Sequence, residues 1–325
     1  MSTSTGEAGG FPIPPVEYMR SVGSGQPTAE ATLEDYLDVG RASRLCLERH
    51  LGPDWDWRGK RLLDFGCGAG RLLRQIPDWA EAGEVFGSDV DRPMAEWARE
   101  HLCPPIADVE VNGFEPPLEF PDDHFDVVSA FSVFTHLGTN WADWLLEVRR
   151  VLKPDGLLVA TILDRRCAEA ITSVPYDEDS VGMSVFAYTV PEMPYINVLH
   201  SHWWIREHWG RAFEIISIDS GQEWSGFVEG GEFPQQGVVV ARPRSGSFSP
   251  EDLRRNKPGE ERYLDAWIHQ QELFRADADR LKARFQESET KLALLEHAHR
   301  EALDRLRRRS LKSRIKGLLG RSRPS

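Results

Sequence analysis

Hydrophobic and polar positions change their period several times along the chain. Residues 1–30 are rich in Gly, Ser, Thr and Pro, show no period, and read as a flexible N-terminus. From Leu33 to Leu51 a helical pattern begins, with Leu33, Leu37, Leu45 and Leu47 on its apolar side. Short apolar runs then alternate with helical ones. Strands are expected at Arg61–Phe65, Glu84–Asp89, Ile106–Asn112, Phe125–Phe131 and Gly156–Leu163, and helices at Arg71–Asp78, Pro93–Leu102 and Trp141–Leu152. Strands that alternate with helices predict a parallel sheet covered on both faces.

Residues 164–200 lose this rhythm and mix prolines, aromatics and acids, as an insertion over a ligand site does. A helix near Trp203–Arg211 follows, then strands at Phe213–Asp219 and Gly237–Ala241 that should pair antiparallel at the end of the sheet. These elements define one α/β domain over residues 31–245. After Pro250 the composition turns to charged helix formers. Trp267, Phe274, Leu281, Ser288, Leu295 and Ala302 fall seven apart, with Gln271, Ala278, Phe285, Leu292, His299 and Leu306 four residues after each. That imperfect heptad predicts a helical, coiled-coil segment over 251–310 and a homo-oligomer through it. A single helix packed on the domain is the other reading. In 311–325, Leu311, Ile315, Leu318 and Leu319 share one helical face among cations. This tail reads either as a peripheral contact with an anionic membrane or as a solvated end.

Charge sharpens the division. Residues 251–325 carry 19 Lys+Arg against 13 Asp+Glu, whereas the rest of the chain carries 20 against 39. An acidic body argues against nucleic acid as a partner and suits neutral or cationic substrates. Pro12, Pro14 and Pro15 interrupt the early apolar patch, so no secretory signal is expected, and no apolar run reaches membrane-span length. Cys46, Cys67, Cys103 and Cys167 lie far apart without a C-x-x-C pair. They predict a reducing, cytoplasmic setting and no metal site.

The chemical signal sits in LLDFGCGAGR, residues 62–71. A buried strand runs into Gly66, Gly68 and Gly70 and then a helix, a turn that brings bare backbone and unpaired N–H groups to a ligand. About 20 residues later the next strand ends in Gly87-Ser88-Asp89, placing a carboxylate where a ribose diol binds. These two features also fit a nicotinamide dehydrogenase. The spacing G-x-G-x-G, rather than G-x-G-x-x-G, leans away from it.

Four stretches in order resemble the class I S-adenosylmethionine-dependent methyltransferases: LLDFGCGAGR, GSDVDRPMAEWARE, FPDDHFDVVSAFSVFTHL and WLLEVRRVLKPDGLLVATI. The resemblance covers residues 40–163, and the last two strands extend it to 242. It implies a Rossmann-like seven-stranded, mostly parallel sheet with a reversed last strand, and S-adenosylmethionine as methyl donor. It further implies that Asp64, Gly66, Gly68 and Gly70 surround the methionine half, Asp89 the ribose and Val90 the adenine. Asn112 stands where many members carry an Asp near the adenine amino group. Phe131 and Ser132 border the reacting sulfonium, although core packing explains Phe131 equally. The stretch from Tyr36 to Gly40 and Arg41 stands where the family often places a lid helix, and Arg41 is either a partner for the donor's carboxylate or a solvated helix arginine.

His136, in the loop after the fourth strand, is a candidate base or a wall of the donor pocket. His200, at the exit of the insertion, is a candidate substrate-side base; a helix-cap neighbour is the plain alternative. Trp203, Trp204, Trp209, Trp224, Tyr188 and Tyr195 offer aromatic walls or ordinary core. A methyltransferase domain with a coiled coil and a basic end resembles, in architecture, methyltransferases of bacterial polysaccharide assembly. That implies O-methylation of a glycan-linked or small-molecule acceptor. A natural-product methyltransferase and a catalytically idle coiled-coil scaffold are the alternatives.

Overall fold

The computed structural model describes residues 7–8, 10–21, 28–172, 176–179, 181–190, 193–220, 236–255 and 291. The elements in chain order are β1 (Glu7–Ala8), β2 (Phe11–Pro12), α1 (Val16–Ser21), α2 (Ala29–Leu51), β3 (Arg61–Phe65), α3 (Pro77–Ala82), β4 (Glu84–Asp89), α4 (Arg92–Leu102), β5 (Asp108–Val111), β6 (Phe125–Ala130), α5 (Trp141–Val151), β7 (Leu152–Ile162), α6 (Arg165–Thr172), β8 (Met183–Val190), β9 (Met193–His200), α7 (His202–His208), β10 (Phe213–Asp219), β11 (Gly237–Pro243) and α8 (Pro250–Arg254).

Seven strands form one sheet in the order β10-β11-β7-β6-β3-β4-β5. The pairs β7–β6, β6–β3, β3–β4 and β4–β5 are parallel, and β11 runs antiparallel to both β7 and β10. The reversed strand is therefore the last in sequence, as expected. Neighbouring residues on one strand serve opposite faces, so β6 is buried along its whole length. Leu63 and Val128 join Trp144, Leu145 and Val148 of α5, Trp204 and Ile205 of α7, and Leu253 of α8. Leu62 and Val127 join Val39 and Leu47 of α2, Trp79 of α3, and Ala95, Ala98 and Leu102 of α4.

Several elements depart from the sequence pattern. Residues 10–21 are not a bare tail: Phe11 and Met19 are buried, and the Arg74 guanidinium donates to the Pro12 carbonyl at 2.5 Å. The helix expected over Arg71–Asp78 is a tight 3-10 turn at Leu73–Gln75 and then α3. Proline disfavours a helical residue before it, and Ile76, at φ −127° and ψ 37°, breaks the helix ahead of Pro77. The insertion holds α6 and an antiparallel hairpin, β8–β9, which aperiodic side chains concealed. The domain also runs past residue 245. Leu253 is fully buried, and its carbonyl accepts from His208 Nδ1 at 2.6 Å and Arg211 at 2.9 Å. Arg254 donates to the Thr139 carbonyl at 3.0 Å.

The coiled-coil segment lies outside the described residues except for Lys291 and the stretch up to 255, and the basic tail lies wholly outside them. Among the described residues, no helix is long and apolar enough to cross a membrane, and no group of His, Cys, Asp and Glu could hold a metal ion.

Candidate functional site

The carboxyl ends of β3, β4 and β6 meet at the glycine turn. Gly66, Gly68 and Gly70 all take positive φ, at 81°, 53° and 78°. Two of them are also required by packing. A Cβ on Gly66 would stand 2.3 Å from Val133 Cγ2, and one on Gly70 2.1 Å from Leu102 Cδ1. The Gly66 and Cys67 N–H groups donate to the Ser88 carbonyl at 2.7 and 3.1 Å, which ties the turn to the end of β4.

Asp89 faces this turn. Its Oδ2 accepts from the Gly68 N–H at 2.6 Å and its Oδ1 from the Asp91 N–H at 2.8 Å. Burial holds the carboxyl above its ordinary range, against the hydrogen bonds from Asp91 and Gly68. Each carboxylate oxygen keeps lone-pair capacity for a further donor. Val90, the next residue, is 41% exposed and gives an apolar surface beside that carboxylate.

Asp64, at the end of β3, is buried. Ser129 donates to its Oδ1 at 2.9 Å. Burial pushes its carboxyl up to about 7, against the Ser129 hydrogen bond and the Arg71 cation. Asn112 bonds back into the cluster, its N–H to the Asp89 carbonyl at 3.0 Å and its Oδ1 accepting from Ser88 Oγ at 2.7 Å. Phe131 is buried at the end of β6. Ser132 follows in a left-handed conformation, φ 58°, with its N–H on Thr161 Oγ1 at 2.7 Å and its Oγ accepting from Gln236 Nε2 at 2.9 Å. A non-glycine residue held there stores backbone strain at the rim.

The remaining sequence candidates fare differently. His136 is half-buried in the loop after β6, where its N–H closes onto the Val133 carbonyl at 2.9 Å. Arg41 does not reach the site; it pairs with Asp38 on the exposed side of α2. His200 is no substrate-side base. Its ring is fully buried, 5.3 Å from Trp204 and 6.2 Å from Trp209, and neither ring nitrogen has a hydrogen-bond partner among the described residues. Burial pushes its imidazole down to about 3, so it stays neutral and weakly basic. Trp224 and the side chains of Tyr188 and Tyr195 lie outside the described residues, while Trp204 and Trp209 are core.

Two residues of the stretch before Arg41 contribute in ways the sequence reading did not assign. Tyr36 on α2 is fully buried and donates to the Ala69 carbonyl at 3.2 Å, within the glycine turn. Gly40, one turn later, lets the helix in: a Cβ there would stand 2.4 Å from the Arg71 carbonyl oxygen. The Y-x-x-x-G spacing carried this signal, since both residues share one helix face.

The family model for a methyltransferase domain matches residues 63–160. An uncharacterized methyltransferase of Schizosaccharomyces pombe is 34% identical over 104 residues, 30% of this chain and 37% of its own length. A ubiquinone biosynthesis O-methyltransferase of Roseobacter denitrificans is 30% identical over 133 residues, 40% of this chain and 51% of its own. The chain thus spans about half or less of the length of these relatives. A solved structure of an S-adenosylmethionine-dependent methyltransferase from Listeria monocytogenes aligns at 17% identity and a TM-score of 0.48, covering 64% of this chain and all of that one.

Proposed function

With a methyltransferase domain over residues 63–160, we propose that the chain transfers a methyl group from S-adenosylmethionine to a hydroxyl of a glycan-linked or small-molecule acceptor. The observation that carries this reading is the 2.6 Å contact of the Asp89 carboxylate with the Gly68 N–H, inside a left-handed glycine cradle. The residues present fit the donor. The backbone from Gly66 to Gly70 and the Asp64 carboxyl receive its cationic methionine end. Asp89 takes the ribose hydroxyls, Val90 flanks the adenine, and Asn112 holds the far side of the adenine pocket. Phe131, Ser132 and His136 line the side on which the acceptor enters. When bound, the donor supplies an electrophilic methyl on sulfur; the protein's part is alignment and exclusion of water.

A catalytically idle scaffold would bind the donor without turnover, so donor binding with no methylated product on any acceptor favours that alternative. The O-methyltransferase name of the Roseobacter relative favours an oxygen acceptor. Calorimetry tests the first half. S-adenosylmethionine and its demethylated product should bind, and NAD should not; NAD binding alone overturns the reading. Mass spectrometry after incubation with labelled donor and glycan precursors or small phenols tests the second. Methyl found only on carbon or nitrogen overturns the oxygen acceptor.

A further inference from the structure

Two histidines two residues apart end up in opposite surroundings. His200 closes β9 inside the aromatic core, whereas His202 opens α7 at the rim, with its side chain 26% exposed. His202 Nε2 lies 3.7 Å from Asp164 Oδ2, and Asp164 is 1% exposed. We propose that His202 is the base that takes the acceptor's hydroxyl proton, with Asp164 as the residue that positions it and stabilises its charged form. This rests on the methyl-transfer reading above.

Placement supports the assignment. Asp164 follows β7 at the carboxyl end of the sheet, the end that carries the glycine turn. The Ser132 N–H bond to Thr161 ties the ends of β6 and β7 together. Gln236 bonds Ser132, and at the next residue, Gly237, a Cβ would stand 3.2 Å from Asp164 Oδ2. Gly237 thus packs against the Asp164 carboxylate next to the Gln236–Ser132 contact, which sets Asp164 and His202 beside Ser132.

The pair is also built as a base should be. Asp164 Oδ1 is occupied by the Arg166 N–H at 3.0 Å at the start of α6, which fixes the carboxylate and leaves Oδ2 for the ring. Every described element around His202 contributes. Ser220 Oγ lies 3.5 Å from Nε2, and Arg166 holds the Ser220 carbonyl at 3.3 Å. Glu178 accepts from the His202 N–H at 3.0 Å, and Arg206 follows one turn later. The Asp164 carboxylate, aided by Glu178 and opposed by burial and Arg206, holds the imidazole above its ordinary value. With Nε2 turned to Asp164, Nδ1 is the nitrogen left to receive a proton.

The step balances. The acceptor O–H gives its proton to Nδ1 of His202, and an oxygen electron pair forms the bond to the methyl carbon. The methyl–sulfur bond breaks, and its pair stays on sulfur as a neutral thioether. The imidazolium, paired with Asp164, later returns its proton to water.

NMR titration of the His202 ring in the full chain gives a readout independent of turnover. Its midpoint should lie above that of a free imidazole and fall in Asp164→Asn, a variant whose amide oxygen still caps α6. Turnover is read on two probe acceptors: catechol, and 4-nitrocatechol, which is already largely ionised at neutral pH. His202→Gln should lose about 10²–10⁴-fold in kcat on catechol, the range for a positioned general base, and far less on the nitro compound. Its donor affinity by calorimetry should stay within about twofold. Asp164→Asn should move the acid limb of the catechol profile to lower pH. The proposal is overturned if the ring titrates at or below the free-imidazole value, if His202→Gln retains wild-type turnover of catechol, or if both probes lose equally. Failure of the wild-type chain to bind the donor would instead sink the methyl-transfer reading.

Discussion

At neutral pH the Asp64 carboxyl stands near its midpoint, because burial raises it to about 7. A cationic ligand end beside it favours the ionised form, so donor affinity should rise between pH 6 and pH 8. Calorimetry at the two pH values checks this, and Asp64→Asn should flatten the dependence. Asp89 acts through hydrogen bonds to a charged group, and Asp89→Ala should weaken donor binding by about 1.5–3 kcal/mol in a variant shown to be folded by circular dichroism. His200 leaves its mark on stability. Its imidazole is pushed from 6.5 to about 3, so the unfolded chain binds a proton there between those pH values and the folded one does not. Its neutral form is accommodated fully above pH 6.5, and stability is lost as pH falls through that window, by about 2 kcal/mol at pH 5. Denaturant melts at pH 7 and pH 5 should show His200→Phe losing that much less than the wild type. These buried roles were not legible in the sequence: His200 and His202 look alike as letters, and only the junction of β9 with α7 sends one ring into the core and the other to the rim.

Among the elements, α2 and the glycine turn are coupled through one missing side chain. Gly40→Ala places a methyl against the Arg71 carbonyl, which cannot swing away as a flexible side-chain tip could. The expected cost is about 1–3 kcal/mol of stability, as for other overpacked sites, read as a lower denaturation midpoint, together with weaker donor binding as the turn is displaced. The strands β3 and β4 were legible because each carries a short apolar stretch, Leu62-Leu63 and Val85-Phe86, bounded by turn residues, and both fall within their expected limits. The glycines and Asp89 were legible because backbone clearance and a carboxylate at a strand end each demand particular residue types. The β8–β9 hairpin was not, since its residues follow no strict alternation. The break at Ile76 was carried by Pro77, a signal present in the sequence but overridden by the helical spacing around it.

For the whole molecule, the charge balance of the sequence turns near residue 250, and α8 carries the described domain on to Arg254. We expect a chain cut after Arg255 to bind the donor as the full chain does, since every proposed donor contact precedes the cut. The full chain should be a dimer or larger and should sediment with anionic vesicles at low salt, whereas the cut chain should do neither. Light scattering and vesicle sedimentation at two salt concentrations decide these separately. An unchanged number of protomers after the cut excludes the coiled coil, and absence of sedimentation by the full chain excludes the membrane contact. The grip on α8 also decides where the chain departs. Arg254 holds the Thr139 carbonyl, in the stretch that carries β6 into α5, and this stretch lies at the carboxyl end of the sheet. The last described helix is therefore tethered at the same end of the sheet as the glycine turn, so Arg254→Ala should loosen the loop that carries β6 into α5 as well as α8 itself.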